Sequence, residues 1–319
     1  MAAHNAATFL REAIQSILDQ SFQDFEFVII NDGSTDGTEA VLNSFLELDA
    51  RIRIFNQPHA GLTRSLNRGL KLCSCGLVAR MDADDISHPD RLAKQFAFME
   101  AHPEVSVLGC RYRTVANDGS ILGCSPKALA RPQEAMWRLP FGSTLPHPGV
   151  IFRKDAVVSA GAYDEDRQHA QDYDLWCRLV RMGHGIANLP DLLLDYRAHP
   201  KQVSSVHGHA QRDAAQTIAQ QFFSWALGEN APALAVSDIR KLCSGDLTRA
   251  WIGADRLDNV ADLSNRYIVA VGERFSRRAR NRARRYLARK LLRASLEAAS
   301  RLDTCAIHYL KASTHLRIH

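Results

Sequence analysis

Apolar residues recur at helical spacing at Leu10, Ile14, Ile17 and Leu18. They give way to Phe25-Glu26-Phe27-Val28-Ile29-Ile30, an apolar, β-prone run that reads as a buried strand. The two periods then alternate. Ala40 to Leu48 predicts a helix, Ile52 to Phe55 a short strand, and Leu62, Leu66 and Leu70 a second helical stripe. Leu77 to Met81 predicts a strand, Asp90 to Ala101 a helix, and Val105 to Gly109 another strand. This alternation specifies an α/β fold, with a mostly parallel sheet and helices on both faces. Ligands of such folds bind beyond the carboxyl ends of the strands.

From about residue 117 the rhythm changes. Asn117-Asp118-Gly119 has hairpin-turn chemistry. His147 to Phe152 predicts a strand, Asp172 to Met182 a helix, and Leu192 to Tyr196 a strand. Beyond about 205 only helical patterns remain. The expected organisation is an α/β domain over 1–205 and a helical region over 206–319. No internal repeat or low-complexity linker marks the junction.

Composition adds bounds. With 319 residues, 46% hydrophobic and 24% charged, the chain is globular. No apolar run reaches the length of a membrane span. The first twenty residues carry Arg11, Glu12 and Asp19 in place of a signal-peptide core. The seven cysteines are scattered, which points to free thiols in a reducing cytoplasm. Cys73-Ser74-Cys75 is the one close pair, with metal binding as its alternative.

The net charge of +5 matters less than its distribution. Arg274, Arg277, Arg278, Arg280, Arg282, Arg284, Arg285, Arg289, Lys290 and Arg293 crowd one segment. Tyr286, Leu287, Leu291, Leu292 and Leu296 recur there at helical spacing. The segment 273–296 reads as an amphipathic helix whose cationic face suits an anionic membrane surface. A solvated helix face is the alternative. No nucleic-acid partner is expected, because neither aromatic interleaving nor a binding motif accompanies the charge. The expected location is the cytoplasm, with docking at the inner face of the membrane.

Four stretches carry candidate chemistry. Met81-Asp82-Ala83-Asp84-Asp85 places three carboxylates at the end of a buried strand. If the strand persists, Asp82 and Asp84 share a side. A hard divalent cation, Mg²⁺ or Mn²⁺, would relieve their repulsion; loop residues or helix caps are the alternative. Asn31-Asp32-Gly33-Ser34 follows the other strongly apolar strand, so Asp32 could accept a hydrogen bond from a nucleobase or simply belong to a turn. Gln171-Asp172-Tyr173-Asp174 opens a helix, where carboxylates suit the dipole and Asp172 could also act as a general base. Tyr196-Arg197-Ala198-His199, with Gln202 and Ser204 behind it, offers one histidine after a strand.

Together with His147-Pro148 and Trp176, these stretches closely resemble glycosyltransferase family 2, with its GT-A fold, over roughly residues 4 to 205. The resemblance implies an inverting enzyme that moves a sugar from a nucleotide diphosphate donor, of UDP type, to an acceptor hydroxyl. The acceptor would be a saccharide or lipid-linked, in polysaccharide or glycolipid synthesis. It implies that Asp32, Arg64 and Asn67 line the nucleotide pocket and that Asp82 holds the ribose or donor sugar. It implies Asp84 and His199 at the metal, and Asp172 as the base. Gln171 stands where the family commonly has Glu. The family's apolar first strand is nearly absent ahead of His4-Asn5, so the expectation is an upstream start or a damaged enzyme. A nucleotidyltransferase would need a Gly-rich triphosphate loop, which is not seen. The remaining alternative is a truncated, impaired homologue serving as a nucleotide-binding or membrane-associated scaffold.

Overall fold

The computed structural model describes residues 1–125, 132–143, 145–200, 202, 208–244, 252, 254–300 and 306–315. It divides into two units. One comprises Met1–Pro132 with Leu145–Gln211, and the other Gln133–Thr144 with Arg212–His319. The segment 133–144 therefore belongs with the helices that follow it by some 70 residues or more, a grouping that no local periodicity reports.

The first unit begins with β1 (Ala2–Ala3), α1 (Ala7–Leu18), β2 (Phe27–Asp32), α2 (Thr38–Leu46), β3 (Ile52–Gln57) and α3 (Leu62–Leu72). It continues with β4 (Leu77–Ala79), β5 (Ile86–Ser87), α4 (Arg91–Ala101), β6 (Val105–Val115) and β7 (Ile121–Cys124). After α5 (Pro132–Arg138), which from Gln133 on belongs to the other unit, come β8 (Ile151–Arg153), α6 (Lys154–Ser159), α7 (Gln171–Arg181) and β9 (Gly185–Arg197). Strands β1, β2 and β3 form a parallel sheet in that order. Every residue of β2 is buried, as expected of a strand covered on both faces. Phe27 and Ile29 join Leu10, Ile14, Leu42 and Phe45 of α1 and α2 in the core, while Ile30 lies against Gly69 of α3.

The second sheet runs β4-β8-β6-β9-β5, with β7 on β6. It is mixed. Only β6 and β9 pair in parallel; β8 enters between β4 and β6 antiparallel to both. The parallel character expected from the β/α alternation is thus concentrated in the first half. Helices still separate β5 from β6 and β8 from β9, but only the β6–β9 pair runs parallel. Ala2 bridges to Asp82 in parallel and links the two sheets.

A cavity of about 1270 Å³ is lined by Met1, just ahead of β1. Val28 of β2, Leu77 and Ala79 of β4, and Leu66 and Leu70 of α3 line its wall. The carbonyl of Arg80, just past β4, is held by the guanidinium of Arg91, a fully buried arginine whose Nε donates to Gln95 at 3.1 Å.

The second unit contains α8 (Gly208–Leu227), α9 (Ala233–Ser244), α10 (Ala254–Arg274), α11 (Arg277–Ser300) and α12 (Ala306–His315). Its core holds Trp137 and Phe141 of the early segment. Trp137 meets Tyr286 edge-on at 5.6 Å, and Phe141 meets Tyr267 at 5.7 Å. The Tyr267 hydroxyl donates to the Trp137 carbonyl at 2.7 Å. Among the described residues no helix is long and apolar enough to cross a membrane.

Candidate active site

The three aspartates converge by a bend. Strand β4 stops at Ala79, so period-2 alternation does not align Asp82 with Asp84. The chain turns after Asp82, and one ligand atom from each of Asp82, Asp84 and Asp85 lies within 4.8 Å of the others. Each carboxylate has its own counterpart. Asp82 Oδ2 accepts from Arg80, and Asp84 Oδ2 lies 2.9 Å from His199 Nε2. Asp85 Oδ1 accepts the Arg197 backbone N–H at 2.9 Å.

Asp85 is fully buried, and its Oδ2 has no hydrogen-bond partner among the described residues. Burial, then the charges of Asp82 and Asp84, push its carboxyl well above the ordinary range. Burial also raises Asp82, against the pull of Arg80. A cluster of this kind wants a cation. The donor set is all-oxygen plus one imidazole, and it includes an orphaned buried oxygen, so it fits a hard divalent ion.

Arg197 anchors the cluster from β9. Its Nε donates to the Asp84 carbonyl at 2.9 Å, and its terminal nitrogen pairs with Glu12 at 2.6 Å. Its guanidinium stacks over Phe9 at 4.7 Å, and Phe9 meets His199 at 5.1 Å. Helix α1 and strand β9, about 185 residues apart in sequence, therefore fix Asp84 jointly. Ser204 lies outside the described residues.

Arg80 is the buried cation of the site. It is 5% exposed, and its Nε has no partner among the described residues. Burial works against its charge, but Asp82, Tyr163 and Asp85 more than offset that. Its charge also reaches Asp172 and His147. His147 Nε2 lies 2.9 Å from the Tyr163 hydroxyl, and burial, then Arg80, keeps the imidazole neutral by lowering its pKa well below the usual value. Asp172 is half-buried in the first turn of α7, after Ala170 in the left-handed region at φ 55°. Burial raises its pKa, despite the Tyr173 N–H and Arg80. Asp174 instead pairs with Arg178 one turn on, at 2.7 Å.

Asp32, at the carboxyl end of β2, is already engaged. Its carboxylate accepts from Gln57 Nε2 at 2.6 Å, Ala60 N at 2.8 Å and Gly61 N at 2.9 Å. His59 Nδ1 lies 3.0 Å from Oδ2. Burial would raise its pKa, yet these hydrogen bonds, Gln57 first, hold it below the ordinary carboxylate range. His4 and His59, both exposed, stack over this end of β2 with centroids 4.1 Å apart. Gly33 is obligatory there: φ is +65°, and a Cβ would meet the His59 backbone nitrogen at 2.5 Å.

Asn67 is similarly committed. Its amide donates to the Tyr163 carbonyl at 2.8 Å and to Glu165 at 3.0 Å, and its Oδ1 accepts the Tyr163 N–H at 3.0 Å. Arg64 is exposed and 3.4 Å from Glu165. The structure thus brings Asp82, Asp84 and His199 together, ties Asn67 and Arg64 to the 163–165 loop, and places Asp172 within the reach of Arg80. Arg80, Tyr163 and His59 escaped the sequence reading. Only Arg80 carried a signal, as a charge inside the apolar run Leu77 to Met81.

A family model described as Glycosyl transferase family 2 matches residues 1–157. The amylovoran biosynthesis glycosyltransferase AmsE of Erwinia amylovora is 35% identical over 204 residues, covering 62% of this chain and 74% of that protein. Staphylococcus aureus TarS 1–349 in complex with UDP-GlcNAc superposes with TM-score 0.60 at 17% identity, covering 99% of this chain and 90% of that one. The mannosyltransferase PcManGT of Pyrobaculum calidifontis, in complex with GDP-Man and Mn²⁺, gives TM-score 0.51 at 16% identity, covering 99% and 83%.

Proposed function

The chain belongs to glycosyltransferase family 2, and from that premise we propose that it moves a sugar, with inversion, from a UDP-type nucleotide sugar to the hydroxyl of a saccharide or lipid-linked acceptor in polysaccharide synthesis. The observation that carries the reading is the convergence of Asp82, Asp84 and Asp85, with the orphaned Asp85 oxygen among them. Asp84 and His199 would hold Mn²⁺ or Mg²⁺, with Asp82 beside them. Such an ion stabilises charge on a departing diphosphate as a Lewis acid.

The chain's own groups do the rest. Asp172 takes the proton of the acceptor hydroxyl. Its raised pKa makes it a stronger base. Arg80 holds the Asp82 carboxylate and adds positive potential where negative charge develops. Asp32 shapes the nucleobase pocket by fixing residues 57–61. The exposed His59 shares Asp32 Oδ2, and a base N–H can displace it there. Asn67 sets the 163–165 loop, and Arg64 lies at its rim. Support for the donor class comes from the nucleotide sugars in the two structural neighbours. Support for polysaccharide synthesis comes from the named role of AmsE.

Calorimetric titration of UDP, with and without Mn²⁺, tests this. Metal-dependent binding that is lost in Asp84→Ala is the expected result. Equal binding without metal, or an unaffected Asp84→Ala protein, overturns the metal assignment.

A further inference from the structure

We propose that α11 is a docking surface for an anionic lipid bilayer, and that it binds by charge without inserting. The helix carries eight arginines and Lys290 against one acid, Glu297, in the sequence Arg277–Ser300. Arg278, Arg282, Arg285, Arg289 and Arg293 follow at steps of four, three, four and four. At about 100° per residue they stay within an arc of about 80° and run for about 22 Å. Arg278, Arg285, Arg289 and Arg293 are exposed.

The opposite side is spent. Ala279, Ala283, Leu287, Leu291 and Ala294 are at most 3% exposed within the helical unit. An interfacial helix buries its apolar face among acyl chains, and α11 has already buried its own in protein. What it offers outward is a straight cationic row.

That row costs the fold stability. Like charges at i, i+4 repel, and Arg277 and Arg278 stand at the positive end of the helix dipole. No acid occupies the first turn to compensate. An external anionic surface can engage the exposed Arg278, Arg285 and Arg289, and guanidinium groups pair with phosphate bidentately. A bilayer suits the row better than nucleic acid, because no aromatic ring stands in the row to stack on bases. Tyr286, the aromatic residue of α11, is already flanked by Arg138 at 4.5 Å and Lys290 at 5.6 Å.

The test is vesicle co-sedimentation of the full chain, with phosphatidylcholine alone or with 30 mol% phosphatidylglycerol. We expect binding to the anionic vesicles only, and release at 1 M salt, where the screening length falls from about 10 Å at 0.1 M to about 3 Å. The R278E/R285E/R289E protein should partition at least on the order of a hundredfold less, at about fivefold per arginine. R278K/R285K/R289K should bind within a fewfold of the parent. Circular dichroism confirms that each variant folds. Equal binding to neutral vesicles, undiminished binding of the charge-reversed protein, or displacement from vesicles by duplex DNA at equal phosphate concentration would each overturn the proposal. The readout is independent of sugar transfer.

Discussion

The Arg80 guanidinium donates to Asp82, and its charge also acts on Asp85, Tyr163, Asp172 and His147. Replacing Arg80 with methionine keeps the stem and removes the cation, which leaves half-buried Asp82 without its partner and buried Asp85 with the Arg197 N–H alone. Breaking a fully buried pair from one side costs about 3–5 kcal/mol, an upper bound here because Asp82 is only half-buried. We expect Arg80→Met to lower the denaturation midpoint by up to that amount and Mn²⁺ to recover part of it. A midpoint unmoved in the absence of metal would show that the aspartates are already neutral. Asp172 makes a kinetic prediction. Asp172→Asn keeps shape and loses the base, so kcat should fall about 10²–10⁴-fold with little change in donor KM. The base must be ionised to act, and burial raises its pKa. Activity therefore falls as pH drops through a value above the ordinary aspartate pKa of about 4. A kcat–pH profile flat down to pH 4 would remove Asp172 from that role.

Strand β1 shows what an element contributes by its length. It pairs with β2 for two residues, and beyond them the cavity of about 1270 Å³ lies between β2 and β4. An added strand would find apolar walls at Val28, Leu77 and Ala79 and an open side of the parallel sheet. Fusing five apolar, β-prone residues ahead of Met1 should raise the melting temperature by about 4 °C or more, from at least 1–2 kcal/mol of burial. Differential scanning calorimetry decides it, and an unchanged or lower transition would show that the slot rejects a strand.

At the scale of the whole molecule, the chain's two units are interleaved and not sequential. Residues 133–144 leave the α/β unit and pack Trp137, Leu139 and Phe141 among the later helices, where they are buried. A chain ending at Gln211 would expose these side chains. We expect it to bind a hydrophobic dye and to elute as aggregate in size exclusion, whereas the full chain would not. Trp137→Ala in the full chain should cost about 3–5 kcal/mol in a denaturant titration. A monodisperse, dye-silent truncated chain would contradict the interleaving.

Periodicity alone determined the β/α order of the first half, the helices beyond 205 and the placing of Asp32 at a strand end. These depend on neighbours within one or two turns of chain, and local spacing reports them faithfully. Only the tertiary structure decided that a bend gathers the three aspartates, that Arg197 and Glu12 hold the cluster from opposite ends of the α/β unit, and that Asp32 and Asn67 are saturated by distant donors. It also decided that the apolar side of the arginine helix is already covered. Hydrogen bonds and burial of that kind join residues from 25 to 185 positions apart. No pattern along the chain encodes which of two distant polar groups finds the other. That is fixed by packing, where each buried donor or acceptor must be matched by whatever the fold brings to it.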